Sequence, residues 1–506
     1  MFKTFDSFVD GITMYRLVLY YLIGLLAAAI GLAIVGDLHY NPAYIGASSL
    51  ILVAACWATN RVFAYIFDAP TNGESSLITA LILALVITPN PTGFGITFLL
   101  AASGLAIASK YLVTINKKHI FNPAAVAVAL TAFGPRQTAS WWIGTAVMLP
   151  FVVIGGILIA RKIRRERMVY SFFATTSVAT VIYALVSTTN IITSLENMIL
   201  SSPVFFLGFV MLTEPATSPP TETKQVWYAG LVGILLPPQA HILNFYSSPE
   251  LSLLAGNVFS YILSPKFKLF PALRERVTIA NNTAEFVFTI DRQISYKPGQ
   301  YLEWTLPHQK ADSRGSRRYF TLASSPTEAN LRIGVKFYNP SSSFKRALLN
   351  MDQDTPIVAS QLAGDFVMPK DRSKKLVFLA GGIGVTPFRS MVKYLLDKNE
   401  VRTITMLYSA RTAPDIAYRD VFEQARATMG LDIKYVLAEQ PNISRMPNTV
   451  SGMITTDLIR QAVPDYLERI FYISGTHPMV EAMEANLIEL GVHPRNIMVD
   501  FFPGYA

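Results

Sequence analysis

Leu376-Val377-Phe378-Leu379-Ala380-Gly381-Gly382-Ile383-Gly384-Val385-Thr386-Pro387 decides how the C-terminal half of this chain is read. An unbroken apolar run, Leu376 to Ala380, that runs into glycines is the pattern of a strand buried on both faces. Glycines at 381, 382 and 384 let the backbone approach a phosphate closely. Val385-Thr386-Pro387 then suits a helix start whose free N–H groups face an anion. A glycine-rich turn alone is weak evidence. The strand before it and the amphipathic run through Leu396 after it give it the context of a phosphate-binding turn.

Working outward toward the C-terminus, strand and helix patterns alternate: Ile404–Tyr408 then a helix over 418–429, Ile433–Leu437, and Arg469–Ile473 then a helix over 478–490. Such alternation predicts a doubly wound parallel sheet with ligands at the C-terminal ends of its strands. Ser409 and Arg411 follow one strand, and Ser474, Gly475, Thr476, Pro478 and Met479 follow another, where a dinucleotide would lie. Arg411 suits a 2′-phosphate or a surface ion pair, so the choice between NADH and NADPH stays open.

Toward the N-terminus, Glu285-Phe286-Val287-Phe288-Thr289-Ile290 has the two-residue period of a strand, and Pro298-Gly299-Gln300-Tyr301 is a turn into another. Next comes Arg318-Tyr319-Phe320-Thr321-Leu322-Ala323-Ser324-Ser325-Pro326. Alternation places Arg318, Phe320 and Leu322 on one face and Tyr319 and Thr321 on the other. A guanidinium can pair with a pyrophosphate, an aromatic can pack on a flavin ring, and a hydroxyl can bond its edge. Ser341-Ser342-Ser343-Phe344-Lys345 opens a short helix, where hydroxyls serve as caps and the N-terminus as a phosphate site.

Taken in order, these motifs resemble the ferredoxin–NADP reductase superfamily over roughly residues 272–506. The resemblance implies a six-stranded antiparallel barrel holding non-covalent FAD, followed by a sheet domain for NADH or NADPH. It places Arg318, Phe320 and Thr321 on the flavin and Ser343 on its pyrophosphate. Tyr319, Ser324, Ser325, Ser342 and Phe344 flank that site. Gly381, Gly382, Gly384, Val385, Thr386 and Pro387 would take the nicotinamide pyrophosphate, with Ser409, Arg411, Gly475, Thr476, Pro478 and Met479 around them. Ser474 stands where the family often has Cys. With Asp500 and Phe501 or Phe502 it would lie nearest the reacting rings.

The N-terminal half is different in kind. Mean hydropathy over the chain is +0.36, and the apolar runs are concentrated between residues 15 and 264. We expect about ten spans, since a run of about 20 apolar residues crosses a bilayer core. They fall near 15–35, 42–66, 74–90, 94–114, 120–134, 140–160, 168–187, 197–214, 225–238 and 249–264. The first run is too long for a signal peptide, and no small-residue cleavage site follows it. The net charge of +9 does not point to nucleic acid, because its densest cluster, Arg161 to Arg167, lies between two apolar runs. With both termini inside, Arg61, Lys117, Lys118, that cluster, Lys224, Lys266 and Lys268 fall on the inner side, against Arg136 alone outside. The soluble half is therefore expected in the cytoplasm.

A weak internal repeat pairs Ser75-Ser76-Leu77 and Ile87-Thr88-Pro89-Asn90-Pro91 with Ser201-Ser202-Pro203 and Leu212-Thr213-Glu214-Pro215. Proline breaks in matched spans mark either a midplane site or plain span ends. Glu214 belongs to such a site or to a loop, and Asn122 before Pro123 reads as a helix cap. His119-Ile120-Phe121-Asn122-Pro123-Ala124 and Met211-Leu212-Thr213-Glu214-Pro215-Ala216-Thr217-Ser218-Pro219 resemble a family of membrane proteins that serve in the sodium-translocating NADH:quinone reductase and in the Rnf electron-transport complex. That resemblance implies a ten-helix inverted repeat carrying electrons by flavin. The family's covalent FMN sits on a Thr in a Ser-Gly-Ala-Thr-like loop, and here only Gly144-Thr145-Ala146 is present. No covalent FMN is expected, while a non-covalent flavin in this half stays open. His39 and His241 read as outer-loop residues and His119 as an inner one, so paired haem ligation is not expected, and the single Cys56 excludes intrachain disulfides and cysteine-ligated iron–sulfur clusters. No metal site is expected.

The sequence thus reads as a membrane domain (1–265), an FAD-binding barrel (266–371) and an α/β nicotinamide domain (372–506). The expected activity is hydride transfer from NAD(P)H to FAD, then onward to a quinone, a flavoprotein or an extracytoplasmic carrier. Two alternatives are a membrane-anchored reductase of a soluble ferredoxin or flavodoxin and a redox-gated transporter.

Overall fold

The computed structural model describes residues 12–502 except 68–72, 117, 134–137, 243–244, 265, 313 and 440–446, and the side chains of 242, 245, 501 and 502 also lie outside the description. Lys117 and Arg136, used above for topology, are among the residues not described. The chain divides into two compact units, Met1–Lys268 and Leu269–Ala506.

The first unit is helical. Four of its described helices are long and apolar enough to cross a membrane: Met14–Val35, Pro42–Ile66, Phe94–Leu112 and Glu166–Val186. The 22 residues of the first give a rod of about 33 Å, enough for a bilayer core. Ile34, Leu50, Tyr65, Ile154, Val178 and Leu185 are exposed large apolar residues, which suits lipid and not water. The shorter Gly73–Val86 helix is instead buried continuously from Thr79 to Val86. Ile191–Leu200 and Val204–Met211 form a pair bent by 59°.

Both proline-bearing breaks leave backbone carbonyls that need donors. At the first, the Trp142 indole N–H donates to the carbonyls of Ala84 and Ile87 at 3.0 Å each, and the Trp141 amide to Val86 at 2.8 Å. At the second, Arg165 donates to the Thr213 carbonyl at 3.0 Å, and Lys266 to Ala216 and Ser218 at 2.8 and 2.5 Å. Asn122 caps its helix, accepting from the Ala125 amide at 3.1 Å, and also donates to Glu214 at 2.9 Å. The two polar residues singled out from sequence therefore meet.

The second unit begins with antiparallel strands: β1 Ala272–Ala280, β2 Thr283–Thr289, β3 Tyr301–Thr305, β4 Arg317–Thr321, β5 Leu331–Lys336 and β6 Val358–Ala363. They fall into two sheets, one running β5–β2–β1 and one containing β6–β3–β4. Helix α1, Ser343–Asn350, lies between β5 and β6 in the chain and is capped by the Ser342 hydroxyl.

The remainder is a six-stranded parallel sheet. Its strands are β7 Leu376–Gly381, β8 Ile404–Ala410, β9 Asp432–Leu437, β10 Thr449–Ser451, β11 Ile470–Thr476 and β12 Ile497–Phe502, in the order β10–β9–β8–β7–β11–β12. Helices α2 Thr386–Lys398 and α3 Arg419–Met429 cover one face, and α4 Thr456–Ala462 and α5 His477–Glu489 the other. Alternation explains the apolar run in β7. Leu376, Phe378 and Ala380 pack under α2 and α3, while Val377 and Leu379 pack on the opposite side. The chain moves outward from β7 through β8 to β10, then returns to β11 on β7's other edge. The order reverses there, which opens a crevice at the C-terminal ends of β7 and β11.

Candidate functional site

The glycine turn stands at that reversal. Gly382 has φ +53° and nothing within 4 Å of where a Cβ would be, so this left-handed residue borders open space. A Cβ on Gly384 would lie 2.6 Å from both the Gly475 Cα and the Ser474 carbonyl oxygen, and one on Gly381 would meet the Met479 sulfur at 2.0 Å. The β7 and β11 ends therefore touch backbone to backbone, and Gly475 and Met479 belong to the turn by contact. Helix α2 starts at Thr386 with Pro387 in its first turn, and α5 starts just after Thr476 with Pro478 in its first turn. Two helix N-termini converge on one crevice, an arrangement that favours an anion.

Ser474 is fully buried, and its hydroxyl has no hydrogen-bond partner among the described residues. It pairs in register with Asp500, as Gly381 does with Ser409. Phe501 and Phe502 pair with Gly475 and Thr476 along the backbone. Thr321 of β4 donates to Asp500 of β12 at 3.5 Å, so these two strands meet. Arg411 is mostly exposed and pairs with Glu439 at 3.2 Å.

On β4, Arg318 is buried and stands 5.2 Å over the Phe344 ring, with Phe320 5.9 Å from the same ring. Its guanidinium donates to the carbonyls of Arg314, Gly315 and Arg317 at 2.9, 3.2 and 2.7 Å. Tyr319, on the other face, donates to Glu303 at 2.8 Å. Ser342 caps α1 through the Lys345 amide. The Ser343 hydroxyl bonds His308 at 3.0 Å and accepts from the Asp312 amide at 2.9 Å, and its own amide donates to the Asp312 carboxylate at 3.0 Å.

Sequence reasoning missed His308, Asp312, Arg314 and Lys345. Burial pushes the Lys345 ammonium down to about 8, helped by the Arg314 and Arg318 guanidiniums. Burial alone would raise the Asp312 carboxyl, but the Ser343 and Arg314 amides and the same guanidiniums hold it below the usual carboxylate range. Three cations crowd the start of α1 around one carboxylate. The positive charge, the helix N-terminus and the Phe320–Phe344 pair are of a kind that could hold a flavin dinucleotide, and Arg318, Ser343 and Lys345 are the groups there that could take its phosphates.

Ser324 and Ser325, expected beside the cofactor, are fully buried. The Ser324 hydroxyl accepts from Tyr296 and the Arg332 amide, and the Ser325 amide donates to Glu328. Among the described residues no group of three or more His, Cys, Asp or Glu side chains is arranged to hold a metal.

Residues 378–485 match the family described as the oxidoreductase NAD-binding domain, and residues 137–263 match the NQR2, RnfD, RnfE family. Each match covers about a quarter or less of the chain, one in each compact unit. Among curated proteins, the stachydrine N-demethylase reductase subunit Stc4 of Rhizobium meliloti is 29% identical over 42% of this chain and 60% of its own. The glycine betaine monooxygenase reductase subunit of Chromohalobacter salexigens is 27% identical over 39% of this chain and 54% of its own. The chain thus spans little more than half the length of either relative. The flavohaem-like FAD/NAD-binding domain of nitric oxide dioxygenase from Vibrio cholerae is 21% identical to it. That alignment covers 46% of this chain and 98% of that structure, with a TM-score of 0.41.

Proposed function

We propose that this protein is a membrane-bound FAD-dependent NAD(P)H oxidoreductase that delivers electrons into or across the membrane. The observation that carries the reading is the Gly381–Pro387 turn at the sheet's reversal point, resting on Ser474, whose register partner Asp500 reaches Thr321. When bound, FAD supplies a ring that accepts a hydride from the nicotinamide and passes the electrons on. The protein's residues do the rest. Gly382 and Gly384 admit the nicotinamide pyrophosphate, and the first turn of α2 donates its amides to it. Arg318, Ser343 and Lys345 hold the flavin pyrophosphate, and Phe320 packs on the ring system. Thr321, Ser474 and Asp500 border the place where the rings meet and keep water from it.

In this reading the first unit is a polytopic domain of about ten spans with inverted-repeat symmetry, and the two antiparallel sheets of the second unit close into a barrel. The acceptor is a quinone, a flavin in the membrane unit, or an extracytoplasmic carrier. A second reading, a membrane-held reductase serving a partner protein, draws support from relatives named as reductase subunits of an N-demethylase and a monooxygenase.

Purified full-length protein is expected to be yellow, to release FAD on denaturation, and to oxidise NAD(P)H with ferricyanide, two one-electron acceptors being reduced for each nicotinamide. Arg318→Ala should lose most of its FAD by absorbance. A colourless wild-type preparation that leaves both nicotinamides untouched would end the enzymatic reading.

A further inference from the structure

A buried polar seam joins the flavin strand to the nicotinamide turn. Arg389 lies one helical turn beyond Thr386 in α2 and is 5% exposed. It donates to the Ala323 carbonyl at 2.9 Å and grips both oxygens of Glu328, one at 3.0 Å. Ser390 donates to the Ser324 carbonyl at 2.6 Å. Glu328 also takes the Ser325 amide at 2.7 Å and pairs with Arg332 at 3.2 Å, and Arg332 reaches Glu285 at 2.5 Å. Ala323 is two residues past Thr321, so each end of the seam sits within one turn of a cofactor-facing residue.

Two further features hold the halves close. A Cβ on Gly334 of β5 would lie 2.6 Å from the Tyr418 hydroxyl and 2.9 Å from the Thr386 methyl. Tyr418 itself has φ +58°, a left-handed conformation that a bulky aromatic rarely adopts, and its ring lies under Arg389. Buried ion pairs seldom stabilise a fold better than apolar side chains of equal volume. A bidentate guanidinium–carboxylate pair does fix distance and angle.

We infer that Arg389 and Glu328 are positioning residues that set the alignment of the nicotinamide turn against the flavin strand. This rests on the oxidoreductase reading above. Neither residue is a catalytic residue; each acts through the main chain it holds.

The test uses the full chain in detergent and compares the parent with the double variant Arg389→Leu/Glu328→Leu and the single variant Glu328→Gln. Removing both charges together leaves no unpaired buried ion, so the double variant should keep its thermal midpoint, FAD content and NAD(P)H dissociation constant. Flavin reduction by NAD(P)H, followed by stopped-flow absorbance, should slow by about 10- to 100-fold, the scale set by a misplacement near 1 Å. The isotope effect with 4-deuterated nicotinamide should grow, and the long-wavelength absorbance of the stacked rings should fade. A merely structural role would lower the midpoint and leave the isotope effect alone. A double variant that reduces its flavin at the parental rate with the parental isotope effect overturns the inference. If that variant does not fold, Glu328→Gln decides: a smaller slowing with a raised isotope effect supports it, and parental values overturn it. A parent that takes up no FAD overturns the functional reading, and this inference with it, before any variant is compared.

Discussion

Lys345 occupies the first turn of α1, and burial together with Arg314 and Arg318 brings its ammonium down to about 8 from an ordinary value near 10.5. The sign follows from proton linkage. Between those two values the unfolded chain holds a proton that the folded chain has released, so the stability of the protein without flavin rises with pH across this window. An anionic pyrophosphate favours the charged ammonium, so FAD affinity should change in the opposite direction. It is expected to fall above pH 8 by up to about tenfold per unit, measured by flavin fluorescence titration. Lys345→Met should weaken FAD below pH 8 and flatten both profiles. If the affinity of the wild type ignores pH through this window, Lys345 does not touch the phosphates. Arg318 and Ser343 were legible in the sequence because strand alternation and a helix start place them. His308, Asp312 and Arg314 were not, because they lie between β3 and β4 with no periodicity. Only the fold brings that loop against the start of α1, some 30 residues onward.

The turn from β7 into α2 was the most legible element, since a two-faced buried strand, three glycines and a helix start leave little choice of local structure. The structure adds why Gly384 is a glycine: its missing Cβ is what lets the β7 turn rest on Gly475 and the Ser474 carbonyl. Gly384→Ala would put a methyl 2.6 Å from backbone atoms, and relieving that overlap costs about 1–3 kcal/mol. The turn must then move away from β11. NAD(P)H-dependent ferricyanide reduction is expected to drop by about tenfold or more, while FAD content holds because β4 and α1 are untouched. A variant that loses FAD and keeps its nicotinamide affinity would reverse the assignment of the two sites. Ser324 and Ser325 show the limit of element-level reading. Hydroxyls after a strand look the same whether they face a cofactor or a neighbouring helix. The partners that settle the contacts of Ser324 come from both directions in the chain: Tyr296 and the Arg332 amide donate to its hydroxyl oxygen, and Ser390, more than 60 residues later, donates to its carbonyl. The broken spans fared likewise: prolines marked where the helices end, but not that the Trp142 indole and the Trp141 amide answer the first break and cations the second.

For the whole molecule the contrast between an apolar half and an ordinary half was plain from hydropathy, and the two compact units divide near the same place. Span number was less legible, because a short apolar helix buried within the unit and a long lipid-facing one share a composition. Gly73–Val86 and Phe94–Leu112 are such a pair. Charge placement carries the last prediction. Arg165 and Lys266 both serve the 213–218 segment, and Lys224 donates to the Leu263 carbonyl at 2.8 Å and to Ser264 at 2.7 Å. These basic residues do more than sit in loops. They neutralise helix-end carbonyls, so they cannot be relocated across the bilayer without leaving those carbonyls bare. The positive-inside rule then predicts that this end of the unit, and the second unit that follows Lys268 in the chain, face the cytoplasm. Protease added to intact cells should leave residues 269–506 whole, while inside-out vesicles should lose them. In the same vesicles NAD(P)H should be oxidised from outside without detergent. Cleavage of the reductase half in intact cells, or NAD(P)H oxidation that appears only after the vesicles are opened, would invert the topology and send electrons the other way.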